Sequence, residues 1–262
     1  MFFPAAHAEK SIPVLRRLIR EYPLGVLTTA ISCEEQPLIL SSHIPWVLDV
    51  DDESSETELG RLRGHLARQN PQSKAMISAV QSADSGNDGD GGSARTLEQE
   101  VLVLFTAAPH HYVTPKFYVE TKPTTAKVVP TWNYAAVQAY GKATVYFDPA
   151  AADTSAFLDR QIGDLSRHTE TSVMDYTGQG DRPGPWRVSD APERYVDLMK
   201  KNIIGVEIAL HRLEGKFKMS QEMRRGDRIG VVQGFESLGS DLGRAMADIV
   251  RERGEIKDAA KA

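Results

Sequence analysis

The chain has 262 residues, of which 41% are hydrophobic, and it carries a formal net charge of −5. That length and composition suffice for one large domain with a buried core. The single cysteine, Cys33, excludes an intrachain disulfide and favours a reducing compartment. The negative net charge disfavours a protein held to nucleic acid by phosphate contacts, although a local basic patch is compatible with it.

Neither an export signal nor a membrane-spanning segment is visible. The N-terminal MFFPAAHAEK offers only a short apolar run before His7, too short for a secretion signal. The most apolar stretch, IIGVEIAL at 203–210, contains Glu207 and falls far short of the roughly 20 residues that a spanning helix needs. We therefore expect a soluble cytoplasmic protein, or a nuclear one in a eukaryote, with no membrane partner.

The first half of the chain predicts one helix and several strands. Residues 11–22 place their apolar side chains at helical spacing and end before Pro23. Strands are predicted at 25–32 and 38–47, separated by the polar turn CEEQ. The run VLVLFT at 101–106 is typical of a buried strand.

The second half predicts a long amphipathic strand followed by helices. Apolar and polar residues alternate with a period of two over 137–147. Helices are expected at 153–165 and 190–202, a further alternating strand at 204–210, and a last amphipathic helix around 242–250.

Short loops between the strands predict a mainly β fold, an antiparallel barrel with peripheral helices. We predict one barrel domain over residues 1–234, followed by a C-terminal helix and charged tail at 235–262. Residues 82–99 begin with SADSGNDGDGGS, which lacks large apolar side chains, and this predicts a disordered insertion in the barrel domain.

The sequence gives no support for metal or nucleophilic catalysis. The seven histidines form no HExxH motif, and the pair His110-His111 has no third ligand nearby in sequence. No GxSxG motif is present, and Cys33 at a strand end is typical of an apolar filler. No metal ligand is predicted, and no catalytic residue can be named.

Four segments combine hydrogen-bond donors with aromatic or small residues. They are SSHIP at 41–45, GHLARQNP at 64–71, PTWNY at 130–134 and KFKMSQ at 216–221. These four segments alternate along the chain with four others, MFFPAAH, LGVLTT, HHYVTPKFY and PWRVSDAP. With all eight segments in their order along the chain, the sequence resembles the PaiB-like FMN-binding family, whose members are often labelled negative transcriptional regulators. The resemblance covers most of residues 1–234 and implies a flavin-binding split barrel.

The resemblance also implies a homodimer with FMN in a groove at or near the subunit interface. The cofactor-binding residues it implies are Ser42, His43, His65, Arg68, Asn70, Trp132, Asn133, Tyr134, Lys218, Ser220 and Gln221. Their types suit FMN, because its phosphate requires cations and hydroxyls and its flat ring requires stacking and edge donors.

Structural roles are open for several of these residues. Trp132 and Tyr134 could fill the core, Asn70-Pro71 could end a helical turn, and His43 could bond a backbone carbonyl. Glu222 stands where the family usually has Asn. Its negative charge near an anion site predicts that it either points away or weakens flavin retention.

The sequence leaves the use of the flavin open. An FMN-dependent oxidoreductase is one possibility, since FMN itself supplies redox chemistry. A regulator acting on DNA or through a partner is another, with two arginine groups as candidate contacts, or as solvated helix faces. These groups are Arg16, Arg17 and Arg20, and Arg224, Arg225 and Arg228. Two further alternatives are a haem-binding or haem-degrading split barrel and a split barrel that has lost its flavin.

Overall fold

The computed structural model describes residues 1–83 and 94–260. The chain divides into two compact units, each assembled from separate chain segments. The larger, here called the barrel unit, comprises Ile19–Phe105 and Gln138–Leu213. The smaller, here called the terminal unit, comprises Met1–Leu18, Thr106–Val137 and Glu214–Ala262.

The described residues contain nine strands and seven α-helices. The strands are β1 (Ala8–Glu9), β2 (Leu24–Ala30), β3 (Ile39–Pro45), β4 (Val47–Asp49), β5 (Arg61–Ala67), β6 (Ala94–Thr106), β7 (His111–Val113), β8 (Thr131–Tyr146) and β9 (Ile203–Lys218). The helices are α1 (Ile12–Glu21), α2 (Pro71–Ala83), α3 (Thr121–Thr125), α4 (Ala152–His168), α5 (Glu193–Lys200), α6 (Arg225–Glu236) and α7 (Asp241–Ala259). Within this part of the chain, no helix is both long and apolar enough to cross a membrane.

The strands of the barrel unit form an antiparallel path that returns to its starting point. The order is β3-β2-β6-β8-β9-β5-β4. Trp46 alone separates β3 from β4 in the chain, so the two ends of the path are one continuous stretch. The first and last strands of the path are therefore joined through the chain, which is the arrangement of a split barrel. The predicted fold class, a mainly β split barrel with peripheral helices, is confirmed.

Trp46 fixes which residues can occupy the strands around it. Its side chain is 1% exposed. A Cβ atom at Gly25 would lie 2.9 Å from Trp46 Cδ1, and one at Gly64 would lie 2.9 Å from Trp46 Cε3. These separations are too short for carbon atoms, so both strands require glycine where the indole crosses them.

Most predicted elements are present, but three strands are longer than the sequence indicated. β8 begins at Thr131 rather than at 137, and β9 continues to Lys218 rather than ending at 210. β6 begins at Ala94, so 94–99 of the predicted insertion is strand, while 82–83 belongs to α2. Residues 84–93 lie outside the described residues.

Helix α6 was not predicted, because its glycines conceal the helical pattern. Glycine inside a helix costs about 1 kcal/mol relative to alanine, which lowers the local helix propensity. The structure explains both interior glycines, since a Cβ at Gly230 or Gly234 would collide with Phe117. Close packing on Phe117 therefore overrides local propensity in this helix.

The two chain ends are joined within the terminal unit. β1 pairs with β9, with Ala8 opposite Lys216. Arg253 of α7 donates to Glu9 Oε2 at 2.6 Å, and its guanidinium lies 3.8 Å from the centre of the Phe217 ring. An ion pair and a cation–π contact thus hold the last helix to the first strand.

Asp227 of α6 is a fully buried carboxylate in the same unit. Its Oδ1 accepts from the backbone N–H groups of Glu120 (2.9 Å) and Thr121 (3.0 Å), and its Oδ2 accepts from Thr121 Oγ1 at 2.5 Å. Burial raises the pKa of Asp227, but these hydrogen bonds outweigh it, so the pKa lies below its ordinary value of 3.8.

Replacing Asp227 by Asn should destabilise the protein by about 1–3 kcal/mol, because the amide cannot accept all three hydrogen bonds. The pKa of Asp227 is lower in the folded chain than in the unfolded one. Its contribution is therefore present above pH ~4 and is lost as the pH falls through the folded value. Urea unfolding at neutral and acidic pH measures both effects.

Asp241→Asn serves as the matched control, because the side chain of Asp241 is 97% exposed. We expect a change below about 0.5 kcal/mol for this variant. Equal destabilisation by the two substitutions, or a loss at Asp227 that does not diminish at acidic pH, would contradict the role assigned to the buried carboxylate.

Candidate functional site

The first residues of β8 alternate between two faces. Asn133 is fully buried, whereas Trp132 is 49% exposed and Tyr134 is half-buried. This alternation follows from the period of two in a β-strand. Trp132 and Tyr134 therefore share the outer face, and the alternative that Trp132 only fills the core is wrong.

Two lysines of β9 lie next to this part of β8. Lys218 Nζ donates to Thr131 Oγ1 and, at 3.2 Å, to Trp132 O. Lys216 Nζ lies 5.5 Å from the centre of the Tyr134 ring. We call Trp132, Tyr134, Lys216 and Lys218 the aromatic–cationic face; it combines flat apolar surface with positive charge.

Lys218 is partly buried. Burial lowers the pKa of Lys218, Glu222 raises it, and Lys216 lowers it, and the pKa lies below its ordinary value of 10.5. A bound anion would favour the charged form of Lys218, because an opposite charge stabilises it.

Trp132 is supported by side chains at the start of the β7–β8 hairpin. Its Nε1 donates to His110 Nδ1 at 3.2 Å. The Tyr112 ring lies 6.4 Å from the Trp132 ring in an edge orientation, and the register pairs these two residues. The indole is thereby oriented while part of its surface stays exposed to solvent.

Three of the predicted cofactor-binding residues are buried beneath the aromatic–cationic face and bond to each other or to the backbone. Asn133 Nδ2 donates to Ser220 Oγ at 3.0 Å, and Ser220 Oγ donates to Asn133 Oδ1 at 3.2 Å. Gln221 Oε1 accepts from Met219 N at 2.7 Å, and Gln221 Nε2 donates to Phe217 O. These buried amides are committed to the chain, so they shape the turn after β9.

Glu222 points toward the N-terminal segment. Its Oε2 lies 2.9 Å from Nε2 of His7, a buried histidine. The carboxylate thus contacts His7 and also lies close enough to Lys218 to raise the pKa of that lysine. Both consequences expected from the sequence therefore stay predictions.

The remaining predicted residues belong to the barrel unit, where Asn70 links a strand to a helix. Asn70 Nδ2 donates to Ser42 Oγ at 3.0 Å, and Asn70 Oδ1 accepts from Gln72 N at 2.8 Å. Asn70 is thus the cap of α2, with Pro71 at the first helical position. The alternative that Asn70-Pro71 ends a helical turn is wrong, because the pair begins a helix.

Arg68 is bound to backbone carbonyl groups. Its Nη2 donates to Phe147 O at 2.5 Å and lies 3.4 Å from Ile203 O, and its Nε donates to Lys201 O at 3.2 Å. The guanidinium joins the end of β5 to the ends of β8 and β9. Two of its nitrogen atoms, Nε and Nη2, thus already donate to backbone carbonyl groups. A role of Arg68 in phosphate binding stays a prediction.

The two predicted histidines differ in environment. His43 is exposed on β3. His65 is enclosed on β5; its Nδ1 is buried and has no hydrogen-bond partner among the described residues. Burial lowers the pKa of His65 below its ordinary value of 6.5, so the neutral imidazole is favoured at neutral pH.

The two arginine groups do not form exposed basic clusters. Arg16 and Arg228 are buried. Arg228 Nη2 pairs with Asp258 at 2.6 Å, and Arg20 pairs with Glu53 at 2.5 Å. In the described residues, no group of three or more His, Cys, Asp or Glu side chains is placed to hold a metal ion.

Sequence reasoning missed several members of the site. They are His110, Tyr112, Thr131 and Lys216. The signal for Lys216 was the period of two, because Lys216 and Lys218 lie on one face of β9 once that strand is extended. His110 and Tyr112 lie within the HHYVTPKFY segment, but their contacts with Trp132 depend on the hairpin register.

Comparison with known proteins gives both sequence relatives and structural neighbours. An uncharacterized protein of Aspergillus fumigatus is 57% identical over 263 residues, covering 98% of this chain and 99% of the relative. Protease synthase and sporulation protein PAI 2 of Bacillus subtilis is 23% identical over 255 residues, covering 96% of this chain and 95% of the relative. A solved structure of a conserved hypothetical protein from Mycobacterium tuberculosis has a TM-score of 0.45 and 13% identity, covering 86% of this chain and 95% of that one.

Most of the chain also matches a known protein family. Residues 1–212 match the family described as "Putative FMN-binding domain". This is well over half of the 262 residues. The resemblance predicted from the ordered segments is confirmed, and the chain belongs to this FMN-binding family.

Proposed function

We propose that this protein binds FMN and that the aromatic–cationic face of the terminal unit holds part of it. Family membership supports a flavin cofactor. The observation that carries the proposal is the pairing of an exposed indole with two lysines on neighbouring strands. FMN requires the same combination, since it joins a flat aromatic ring to a phosphate dianion.

The residues fit the two parts of FMN in different ways. Trp132 offers its exposed surface for stacking, and Lys216 and Lys218 offer cations for the phosphate. Asn133, Ser220 and Gln221 hold the turn that carries Lys218 into place. From the barrel unit, Ser42, His43, His65, Arg68 and Asn70 stay proposed contacts.

FMN, when bound, supplies electron and hydride transfer, and an oxidoreductase function rests on that chemistry. The residues of the chain bind and orient. Trp132 is held by its hydrogen bond to His110, and Lys218 by its hydrogen bonds to β8. The unpartnered Nδ1 of neutral His65 can donate or accept a hydrogen bond, depending on the tautomer.

Trp132→Ala should weaken FMN binding about tenfold, because base–aromatic stacking contributes about 1–3 kcal/mol. Lys218→Gln should weaken FMN binding about tenfold as well, because it removes a charge-assisted contact to phosphate. Riboflavin, which lacks the phosphate, should lose affinity with Trp132→Ala but not with Lys218→Gln. Titration followed by flavin fluorescence measures all four affinities.

Arg225→Ala is the control, because Arg225 is exposed on α6 and lines a groove that contains none of the residues of the aromatic–cationic face. Arg68→Ala tests the predicted contact from the barrel unit: it should weaken FMN binding more than Arg225→Ala does. Equal affinities across Trp132→Ala, Lys218→Gln and Arg225→Ala would remove the site assignment. A free-flavin spectrum at saturating protein would remove flavin binding itself, and a Soret band with added haem would favour the haem alternative.

We further propose a homodimer that uses the surface of residues 173–199. This segment exposes the large apolar side chains of Val173, Met174, Trp186, Tyr195, Leu198 and Met199. Helix α5 buries none of its residues, although half of them are apolar. Contiguous exposed apolar patches mark interaction sites in soluble proteins.

Leu198→Asp should convert the dimer to a monomer, because a charge in an apolar interface is costly to bury. Light scattering should give a mass near 28.9 kDa for this variant and twice that for the unchanged protein. Leu38→Asp, at a similarly exposed leucine in the β2–β3 turn, should remain dimeric. A monomeric unchanged protein, or equal effects of the two variants, would contradict the proposed interface.

The regulatory alternative has a separate test. Direct DNA contact predicts binding of mixed-sequence DNA with a steep dependence on salt. No binding at low salt would exclude direct contact and leave only a regulator that acts through another protein.

A further inference from the structure

A contact between a buried histidine and a glutamate lies next to Lys218 of the aromatic–cationic face. Nε2 of His7 lies 2.9 Å from Oε2 of Glu222, and the His7 side chain is 9% exposed. Burial lowers the pKa of Lys218, and the negative charge of Glu222 opposes this by raising it. The carboxylate of Glu222 can therefore be neutralised by either of two groups, Lys218 or a protonated His7.

The imidazole of His7 is incompletely bonded. Neither of its ring nitrogens makes a hydrogen bond of normal geometry within residues 1–83 and 94–260, although Nε2 is within ion-pair distance of Glu222. Buried polar groups without partners are rare in native proteins, and each calls for an explanation. A proton on His7 would supply one, because an imidazolium and a carboxylate at this distance attract each other strongly.

The backbone holds His7 against the part of β9 that carries both lysines. His7 O accepts from Phe217 N at 2.9 Å, and His7 N donates to Pro4 O at 2.8 Å. The next residue, Ala8, is paired with Lys216 in the register of β1 and β9. Phe217 stands between Lys216 and Lys218 in the chain. The position of His7 is therefore fixed relative to the aromatic–cationic face.

Charged and titratable groups from several elements lie around His7 and Glu222. They are Lys216 and Lys218 of β9, Tyr118, Arg224 with its partner Glu120, Glu9 of β1 with its partner Arg253 of α7, and Lys257 of α7, whose Nζ donates to Met223 O at 3.2 Å. Burial raises the pKa of Tyr118 above its ordinary value of 10.0, and Glu222 adds to this effect, so the hydroxyl is neutral at neutral pH. Of the side-chain types in this group, histidine alone ordinarily gains or loses a proton between pH 5 and 8.

We propose that His7 is a positioning residue for the phosphate of the bound flavin: when protonated, it binds Glu222 and leaves the charge of Lys218 to the phosphate. This inference rests on the proposed function, because it assigns the phosphate to Lys218. When His7 is neutral, the uncompensated charge of Glu222 competes with the phosphate for Lys218 and repels it. An asparagine at position 222, the usual residue of the family, could not respond to His7 in this way.

Fluorescence titration of the full chain with FMN at pH 8 and at pH 5.5 tests the proposal. His7→Gln and the unchanged protein should bind FMN with similar affinity at pH 8. At pH 5.5 the unchanged protein should bind about fivefold more tightly than His7→Gln, a small value for coupling between two sites. The phosphate of FMN itself gains a proton near pH ~6, so the two proteins are compared with each other at the same pH.

Riboflavin separates a charge effect from a change of structure. Because it lacks the phosphate, its affinity should not differ between the unchanged protein and His7→Gln at either pH. A substitution that only disturbed the packing of the N-terminal segment would weaken both flavins alike.

His211→Gln is the matched control, since Nε2 of His211 lies 3.1 Å from Oε1 of Glu100 and so also contacts a carboxylate. His211 precedes Lys216 by five residues in β9, about 17 Å along an extended strand. Charges that far apart are largely screened at physiological salt. This variant should therefore have the pH dependence of the unchanged protein.

Glu222→Gln gives a second test at a more exposed position. It should strengthen FMN binding about fivefold at pH 8, where a charged carboxylate is removed, and have little effect at pH 5.5, where His7 already neutralises that charge. In the Glu222→Gln background, His7→Gln should no longer change the pH dependence, because the two residues act as one pair.

The inference is overturned if FMN binds and the unchanged protein and His7→Gln keep the same ratio of affinities at both pH values. It is also overturned if riboflavin shows the same difference as FMN, if His211→Gln reproduces His7→Gln, or if Glu222→Gln has equal effects at pH 5.5 and pH 8. Absence of FMN binding by the unchanged protein at either pH would instead remove the proposed function, and the inference with it.

Discussion

The indole of Trp46 lies in the interior of the barrel unit, between the strand that opens the sheet path and the strand that closes it. Gly25 and Gly64 lack side chains where the ring crosses them, because a Cβ at either position would contact it. The indole thus sets the spacing of β2 and β5 around the β3–β4 junction. The packing of the sheet around this junction depends on this arrangement, since large buried side chains leave little room for adjustment in a packed core.

A second constraint is the period of two along β8 and β9, which divides the terminal unit into an inner and an outer face. Asn133 and Phe217 lie inward, whereas Trp132 and Lys218 lie outward. The inner residues are buried, whereas the outer ones are hydrogen-bonded to neighbouring residues and keep part of their surface exposed to solvent. The site therefore results from the alternation of two neighbouring strands.

The sequence predicted the fold class and the ordered segments of the family, because both depend on local patterns of apolar residues. It did not predict that Gln221 and Asn133 would use their amides internally. Asn133 and its partner Ser220 are far apart in sequence, so no local pattern relates them. The start of β6 was missed for a different reason. Leu97 is the one buried residue in the first seven positions of this strand, so the sequence there shows no alternation of apolar and polar residues. Helix α6 was not predicted because Gly230 and Gly234 lower its helix propensity, and the reason for these glycines is the packing of the helix on Phe117.

The family match ends at residue 212, in the middle of β9, and the strand continues to Lys218. The later part of β9 supplies the partner of β1, and α7 supplies the partner of Glu9. The terminal unit is therefore assembled from both ends of the chain. A fragment cut at the family boundary would keep the N-terminal segment but lose the residues that contact it, so the packing of the first strand needs the chain beyond the family match.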